Sequence, residues 1–335
     1  KAADDDVVAR RVFIFDNRKQ DGLFPEENQE VQFVQRVFEE LEVEPSTTVF
    51  CVWPKYFSFP SLVEAFRPRL VVADIVDDHR RWPLSDKYRR RIENHYEEIV
   101  RLSDIIITNC EPVRQAMAEL GASPFVIPNG LEPPEAFATA GPTPTDIATI
   151  TRPRLGYVGN LDPRRLDLEL LEFISRTRPE WQLVFVGSAH TNNEVLALNR
   201  HQNVHFLGVK RYDQVAKYVR EFDVALIPHQ KNGLTDAMNP LKAFVYLSLD
   251  VPIVTTDVSN LEEIASALFV AQSQVSFAEA IQRCLVEDRR EPSLRGEMLQ
   301  KHDWRERTNR IINLIDEGLM HKSRADLSPN TVSIL

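Results

Sequence analysis

Short apolar segments rich in β-branched residues alternate along the chain with longer segments whose apolar residues recur at helical spacing. In the first half, the strands that this pattern predicts are 11–16, 48–52, 69–75, 104–108 and 124–127. The helices predicted between them are 28–41, 88–102 and 111–120. Strands and helices that alternate at this spacing indicate an α/β fold built on a Rossmann-like parallel sheet.

The same alternation returns in the second half, which opens on a strand over 155–158 that runs into a glycine turn. Further strands are predicted at 181–187, 204–207, 223–228 and 252–256. The predicted helices are 212–222, 277–286, 304–319 and one that begins near Asn239. Residues 132–151 are rich in proline and lack an apolar period, so they indicate a hinge between two domains.

A chain of 335 residues also suits two domains better than a single core. The predicted division places a first Rossmann-like domain at 1–140, a linker at 141–152 and a second Rossmann-like domain at 153–301. A final helix at 302–319 and a polar, loose tail at 320–335 follow. The apolar residues expected on the buried side of the final helix are Ile311, Ile312, Leu314 and Ile315.

The start of the helix near Asn239 carries an unusual charge. Asn239 is a favoured N-cap residue, and Pro240 fits a first helical turn, where its missing amide proton does no harm. Lys242 then falls in the first turn, where a cation opposes the helix dipole. A phosphate held between backbone amides and Lys242 would account for that placement, because helix N-termini bind anions. A surface lysine that reaches into water is an equal alternative.

Two loops that follow strands of the second half have the composition of ligand-binding loops. Gly159 lets the backbone approach a ligand, and Arg164 or Arg165 follows with a fixed positive charge suited to phosphate oxygens. The loop over 208–211, which includes Lys210, follows another strand and could receive a nucleobase.

Acidic side chains follow the strand predicted at 69–75. Asp74, Asp77 and Asp78 lie near its carboxyl end, where open α/β sheets place their ligands. Their spacing admits a metal ion, but acids in one loop are more often solvated or cap the next helix, and that interpretation is favoured.

Positive charge is concentrated at five arginines of the first half, which are Arg80, Arg81, Arg89, Arg90 and Arg91. They could meet an anionic membrane or a lipid pyrophosphate. A solvated helix face, paired at helical spacing with Glu93, Glu97 and Glu98, is the favoured alternative.

Composition excludes some classes of function. A net charge of −10 argues against binding nucleic acid. No apolar run approaches the roughly 18 to 20 residues of a transmembrane helix. Cys51, Cys110 and Cys284 lack metal-ligand spacing, which favours a reduced, cytoplasmic protein without structural zinc. Because the chain begins with Lys1, it is expected to be a fragment or a processed form.

Several short motifs occur in a specific order over roughly residues 48–319. The motifs are 76–78 (VDD), 127–130 (IPNG), 155–160 (LGYVGN), 222–228 (FDVALIP), 239–242 (NPLK) with Tyr246 and Leu247, and Trp304. This order resembles the GT-B glycosyltransferases, in particular the large retaining family 4 and its polysaccharide-assembly branch. The resemblance implies two Rossmann-like domains whose parallel sheets face a cleft, with the last helix crossing back to the first domain. It implies a metal-independent, cofactor-free transferase for cell-surface polysaccharide or glycan assembly.

The resemblance also implies where the substrates bind. A nucleotide-sugar donor would lie mainly on the second domain, and a saccharide or lipid-linked acceptor mainly on the first. The inner membrane face, by peripheral contact, and other glycan-assembly domains are the further partners it admits. The residues implied in catalysis are Asp77 or Asp78, Arg165 and Lys242. The residues implied in donor binding are Gly159, Asn160, Lys210, Asn232, Thr235, Asn239, Pro240 and Leu241.

Two departures from the family pattern leave an alternative open. The usual pair of glutamates falls on Ala237 and Val245, and the second of these normally holds the donor ribose. The glycine-rich acceptor loop is not recognisable in residues 1–47. A non-catalytic GT-B scaffold within a larger glycan-assembly protein is therefore the competing class, and a GT-B epimerase of nucleotide sugars is a third.

Overall fold

The computed structural model describes residues 27–53, 57–133, 137, 141–189, 192–286, 298 and 300–327. In this part of the chain, the first half forms a parallel sheet with strands in the order β1-β2-β3-β4. These strands are Val49–Val52 (β1), Leu70–Ile75 (β2), Ile105–Thr108 (β3) and Phe125–Val126 (β4). The strand predicted at 11–16 lies outside the described residues.

The helices of the first half are Glu27–Leu41 (α1), Phe59–Phe66 (α2), Asp86–Leu102 (α3) and Glu111–Ala118 (α4). The first, third and fourth helices were expected. Helix α2, an eight-residue helix that begins with Phe59 and Pro60, was not predicted from the sequence. Its buried residues are Phe59, Val63 and Phe66. Phe59 and Val63 join the core of the first sheet, and Phe66 packs against Phe38 and Phe50.

The second half forms a six-stranded parallel sheet with the order β10-β9-β8-β5-β6-β7. Its strands are Arg154–Val158 (β5), Gln182–Val186 (β6), Val204–Phe206 (β7), Val224–Ile227 (β8), Ile253–Thr256 (β9) and Leu268–Ala271 (β10). Its helices are Thr145–Ala148 (α5), Leu168–Thr177 (α6), Asn193–Leu196 (α7), Tyr212–Val219 (α8), Leu241–Ser248 (α9) and Gln274–Val286 (α10). The strand order reverses between β5 and β8, and α/β sheets bind ligands at the carboxyl ends beside such a reversal.

The last helix, Trp304–Leu327 (α11), crosses back to the first domain. Its residues Ile311, Leu314, Ile315 and Leu319 pack on the face of the first sheet that carries Leu70 and Ile105. Two expectations were wrong. Ile312 is 47% exposed, because it lies at the edge of the helix face that packs on the sheet rather than within that face. The helix also continues to Leu327, so residues 320–327 are helical rather than part of a loose tail.

The segment predicted as a linker over 141–152 packs on the second domain. Ile147 and Ile150 are buried in the same cluster as Phe222. Asp146 accepts a hydrogen bond from the Lys210 ammonium at 2.8 Å. The absence of an apolar period was therefore misleading, because two isoleucines and one carboxylate are enough to fix this short segment.

The two domains are joined beneath the cleft by a pair of asparagines. The backbone N–H of Asn129 donates to the Asn239 side-chain oxygen, and the Asn129 side-chain amide donates to the Asn239 carbonyl, both at 2.8 Å. Next to this pair, the 3₁₀ turn Thr235–Ala237 packs on α4, and Ala237 joins the core of the first domain. None of the helices in the described residues combines the length and the apolar character needed to cross a bilayer.

The packing of α11 can be tested with two isoleucines three positions apart. Ile315→Ala should lower the free energy of unfolding by about 1–3 kcal/mol, because it removes apolar contacts with the first sheet. Ile312→Ala should change it by less than about 0.5 kcal/mol, because that side chain faces solvent. Urea denaturation of both variants measures the difference, and equal losses would show that α11 does not pack as described.

Candidate active site

A cavity of about 340 Å³ lies between the carboxyl ends of the two sheets. The first domain lines it with Asp77 after β2 and Asn109 after β3. The second domain lines it with Gly159 after β5, Arg165, and Lys242 from the start of α9. The cavity therefore combines one acidic wall and one basic wall, each supplied by a different domain.

Lys242 is held in a largely desolvated position on the basic wall. Its ammonium nitrogen lies 4.9 Å from the centre of the Tyr157 ring and 3.4 Å from Nε2 of the buried His229. Burial is the main cause that lowers the pKa of Lys242 to about 7, and the nearby Arg165 lowers it further. Burial and the same two cations lower the pKa of His229, which leaves its imidazole neutral. The sequence alternative of a lysine that reaches into water is therefore wrong.

Arg165 shares that wall with Lys242, whereas its neighbour Arg164 does not. The Arg164 guanidinium is paired with Asp162 at 2.5 Å. The Arg165 Nε is buried and makes no hydrogen bond within the described part of the chain. A buried donor without a partner is costly. The basic wall thus offers an unsatisfied guanidinium N–H beside a poorly solvated ammonium, which is an arrangement suited to an anion.

The glycine turn after β5 brings the backbone against Lys242. Gly159 has a φ of +140°, which favours glycine, and a Cβ atom there would lie 3.3 Å from Cε of Lys242. At Gly187, with a φ of +147°, a Cβ would lie 1.8 Å from the Gly159 carbonyl oxygen. Two glycines are therefore needed for the turn that places Gly159 in the cavity.

The start of α9 differs from the sequence expectation in one respect. Pro240, with an extended ψ of 100°, occupies the N-cap position, and no side chain in the described part of the chain caps the first turn. Asn239 does not cap the helix, because its side chain bonds to Asn129 and to the carbonyl of Asn260. Asn239, Pro240 and Leu241 all line the cavity. The uncapped amides of this turn can therefore serve an anion beside Lys242.

The two adjacent aspartates have separate roles in the structure. Asp77 lines the cavity, and its charge acts on Lys242 across the cleft by raising that lysine's pKa. Asp78 is buried and caps the 3₁₀ turn His79–Arg81, where its oxygens accept hydrogen bonds from the Arg80 backbone and guanidinium. The candidate catalytic role of Asp78 is therefore not supported by its position, since its carboxylate is already bound within the first domain.

Four other candidate donor-binding residues lie away from this cavity. Asn160 is exposed and lines an adjoining cavity together with Lys210, whose ammonium is paired with Asp146 at 2.8 Å. Asn232 and Thr235 hold their own loop together, because the Asn232 side-chain oxygen accepts from the Thr235 backbone N–H at 3.1 Å. The Thr235 hydroxyl is buried and donates to the Gln230 carbonyl. These two side chains are engaged in folding the loop.

The arginines of the first domain are also not paired as expected. Arg80 and Arg81 pair with Asp78, and the Arg91 guanidinium lies 3.8 Å from the centre of the Phe57 ring. Glu98 pairs instead with Arg101. Among the described residues, no group of three or more His, Cys, Asp or Glu side chains is arranged to hold a metal ion.

Three residues of the site were not predicted as site residues from the sequence. Asn109 is buried in the cavity wall, and its side-chain oxygen has no hydrogen-bond partner among the described residues. His229 contacts Lys242, and the Tyr246 hydroxyl accepts the Val158 backbone N–H at 2.7 Å. Asn109 and His229 each follow a buried strand by one or two residues, and that position at the ligand edge was an available signal.

The two-domain arrangement defines the class of the fold. The structure resembles HepE of Anabaena in complex with UDP and glucose, with a TM-score of 0.61, 16% identity, and coverage of 88% of this chain and 84% of that one. It resembles a trehalose-phosphate synthase of Burkholderia xenovorans, with a TM-score of 0.62, 14% identity, and coverage of 86% and 76%. The fold is GT-B, as the motif order implied.

Two sequence comparisons match parts of the chain. Residues 152–287 match the family model of glycosyl transferases group 1, in agreement with the predicted resemblance to glycosyltransferases. The putative teichuronic acid biosynthesis glycosyltransferase TuaH of Bacillus subtilis is 25% identical over 224 residues, which are 63% of this chain and 56% of that protein. The chain therefore spans little more than half the length of this relative.

The separate positions of the two aspartates give a stability test. Asp78→Asn should lower the free energy of unfolding by about 1–3 kcal/mol, because it weakens charge-assisted hydrogen bonds to Arg80. Asp77→Asn should change it by less than about 0.5 kcal/mol, because the side chain faces the cavity. Denaturant titrations compare the two, and a larger loss for Asp77→Asn would reverse the assignment.

The pKa of Lys242 gives a pH test. Inorganic pyrophosphate should bind roughly tenfold or more weakly at pH 9 than at pH 7, because the bound anion requires the charged lysine. The Lys242→Ala variant should bind weakly at both values, with little dependence on pH. Unfolding at high pH would not explain the weaker pyrophosphate binding of the unmodified protein at pH 9. Between about pH 7 and pH 10.5 the unfolded chain holds the proton that folded Lys242 has released, so this group makes stability rise with pH. Calorimetric affinities that stay constant in the unmodified protein would contradict the assignment.

Proposed function

We propose that this chain is a glycosyltransferase that moves a sugar from a nucleotide-sugar donor to a saccharide or lipid-linked saccharide acceptor. The observation that carries the proposal is the pair Lys242 and Arg165 on one wall of the interdomain cavity. The Lys242 ammonium is poorly solvated, and the Arg165 Nε has no hydrogen-bond partner among the described residues. The match of residues 152–287 to the group 1 family model supports this reaction class.

The chemistry of transfer matches the two walls. When the bond between the anomeric carbon and the diphosphate breaks, its electron pair passes to the leaving phosphate oxygen. Lys242, Arg165 and the uncapped start of α9 would stabilise that charge through fixed cations and a helix dipole, without a metal ion. Asp77 and Asn109, from the opposite wall, would hold the donor sugar and the attacking hydroxyl. Retention of the anomeric configuration is the outcome that we assign from the resemblance to family 4.

The first domain offers a surface for the acceptor. A cavity of about 260 Å³ beside Asp77 is lined mainly by rings, which are Phe57, His79, Trp82, Tyr88, His95 and Tyr96. The Trp82 ring lies 5.6 Å from the Arg165 guanidinium carbon, so this aromatic cavity meets the basic wall at the domain boundary. Aromatic rings suit the apolar faces of sugar rings or the first carbons of a lipid.

The relatives indicate the type of substrate. TuaH is named for teichuronic acid biosynthesis, and HepE was determined with UDP-glucose. We therefore favour polysaccharide or glycan assembly, in the cytoplasm or at the inner membrane face, where the exposed Arg89 and Arg90 would meet anionic lipid. Other glycan-assembly domains are candidate partners.

A non-catalytic scaffold remains the second candidate, and two residues favour it. Val245 lines the cavity where the family keeps its ribose-binding glutamate, and Ala237 is packed into the first domain's core. Calorimetry with UDP, GDP, ADP, CDP and TDP separates the candidates, because a scaffold should bind none. Release of nucleoside diphosphate from matching nucleotide sugars, with and without saccharide acceptors, then tests for transfer and distinguishes an epimerase.

Lys242 provides the kinetic test of the proposal. Lys242→Ala should lower kcat by roughly 10²- to 10³-fold, as does the loss of one donor to a developing negative charge, while the melting temperature changes little. Lys231→Ala is the matched control, because that lysine is exposed and pairs with Asp257 outside the cavity. Its kcat should stay within about twofold of the unmodified value. Equal kcat values for the two variants would refute the role of Lys242.

Arg165 and Arg164 form a second matched pair for the same measurement. Arg165→Ala should lower kcat on the scale given for Lys242→Ala, whereas Arg164→Ala should act mainly on stability by breaking its pair with Asp162. A larger kinetic loss for Arg164→Ala would place the leaving group elsewhere.

A further inference from the structure

The interdomain cavity continues into a second cavity along the edge of the second sheet. The second cavity has a volume of about 330 Å³ and lies at the carboxyl ends of β5 and β6, where it is lined by Val186, Gly187 and Val209. The two cavities share Val158, Gly159 and Val215 in their linings, so they adjoin. Together they form one elongated space that runs from Asp77 to the loop over 208–211.

This space fixes how a nucleoside diphosphate would lie, if the proposed function is correct. The diphosphate rests at Lys242 and Arg165, and its sugar faces Asp77 and Asn109. The nucleoside must then extend the other way, along the shared wall. Its ribose would rest on Val158, Val215 and Val245, and its base would enter the second cavity.

The wall beside the ribose offers no charged acceptor for hydroxyl groups. Among the described residues that line the two cavities, the single carboxylate is Asp77, which belongs to the opposite domain. The Tyr246 hydroxyl already accepts the Val158 N–H, and the Tyr212 hydroxyl donates to the Glu132 carboxylate at 3.5 Å. The side-chain amides of Asn129 and Asn239 donate to the carbonyls of Asn239 and Asn260. The Lys210 ammonium is paired with Asp146.

We infer that this site does not select for the ribose hydroxyls, and that it takes 2′-deoxyribose donors as readily as ribose donors, with Val245 as the residue that sets this tolerance. A site that hydrogen-bonds a hydroxyl strongly rejects the analogue that lacks it, whereas an apolar wall discriminates poorly in either direction. The class of donor therefore includes deoxynucleoside diphosphate sugars.

Calorimetry with matched nucleotides tests the inference. For whichever base binds, the Kd values of the ribose, 2′-deoxyribose and 2′,3′-dideoxyribose diphosphates should agree within roughly threefold. The series uses UDP and its deoxy analogues first, and then the guanine, adenine and cytosine sets. A ribose form that binds roughly tenfold or more tightly than its deoxy analogue would overturn the inference while leaving the donor site intact. Failure of every nucleoside diphosphate to bind would refute the proposed function and, with it, the inference.

Val245 variants test the assigned residue. Val245→Glu should introduce a preference for ribose of roughly tenfold or more, because a hydroxyl can then donate to a carboxylate. Val245→Leu is the matched control, since it adds bulk without charge and should keep the three forms within roughly threefold. The melting temperature and the affinity for inorganic pyrophosphate report whether each variant retains the fold and the diphosphate site. A folded Val245→Glu protein that binds pyrophosphate but still ignores the ribose hydroxyls would show that Val245 does not face the ribose.

Discussion

The arrangement of this molecule depends on a positive charge held where water solvates it poorly. Lys242 has its ammonium beside the Tyr157 ring and a neutral imidazole, with Arg165 on the same wall. A tenfold change in a protonation equilibrium corresponds to about 1.4 kcal/mol, so a lysine pKa lowered from 10.5 to about 7 reflects a cost of several kcal/mol. The fold bears that cost at a cavity, where an anion can offset it. A surface site with the same two cations would gain far less from the same ligand, because water screens exposed charges.

Asp77 on the acidic wall faces Lys242 only because the two domains meet in a fixed arrangement. Asn129 and Asn239 exchange two hydrogen bonds across the junction, and the turn that contains Ala237 is packed on α4. On the far side of the first domain, α11 covers the sheet face that carries Leu70 and Ile105. The two domains are therefore connected at two places, by the asparagine pair below the cleft and by α11 behind the first sheet. These contacts hold Asp77 opposite Lys242.

The features that could be predicted from the sequence are those that depend on residues close together along the chain. Parallel strands, most helices, Gly159 and the placement of Lys242 in a first turn all follow from periodicity, backbone preferences and strand ends. Residues whose partners are distant along the chain were misassigned. Asn239 was expected to cap α9, but its side chain accepts a hydrogen bond from Asn129, and nothing in the sequence indicated that Lys210 pairs with Asp146. The segment over 141–152 lacks periodicity and is nevertheless fixed by Ile147 and Asp146. Local sequence propensity does not predict tertiary partners of this kind, because the local backbone is the same whether the side chain binds a distant residue or a ligand.

The two ends of the proposed donor site are therefore built from different chemistry. At the diphosphate end, charge-assisted contacts are available and each is worth more than a neutral hydrogen bond. At the nucleoside end, Val158, Val215 and Val245 offer apolar contact, which is non-directional and follows the area that is covered. A site of this composition takes its affinity mainly from the phosphates and its orientation from the shape of the wall. In the proposed donor site, the apolar Val245 would then affect which nucleosides are accepted, while Lys242 and Arg165 would act on the leaving diphosphate. In the proposed site, the diphosphate contacts and the nucleoside contacts are separable because they come from different residues of the second domain's wall. Lys242 and Arg165 serve the diphosphate, and Val158, Val215 and Val245 serve the nucleoside.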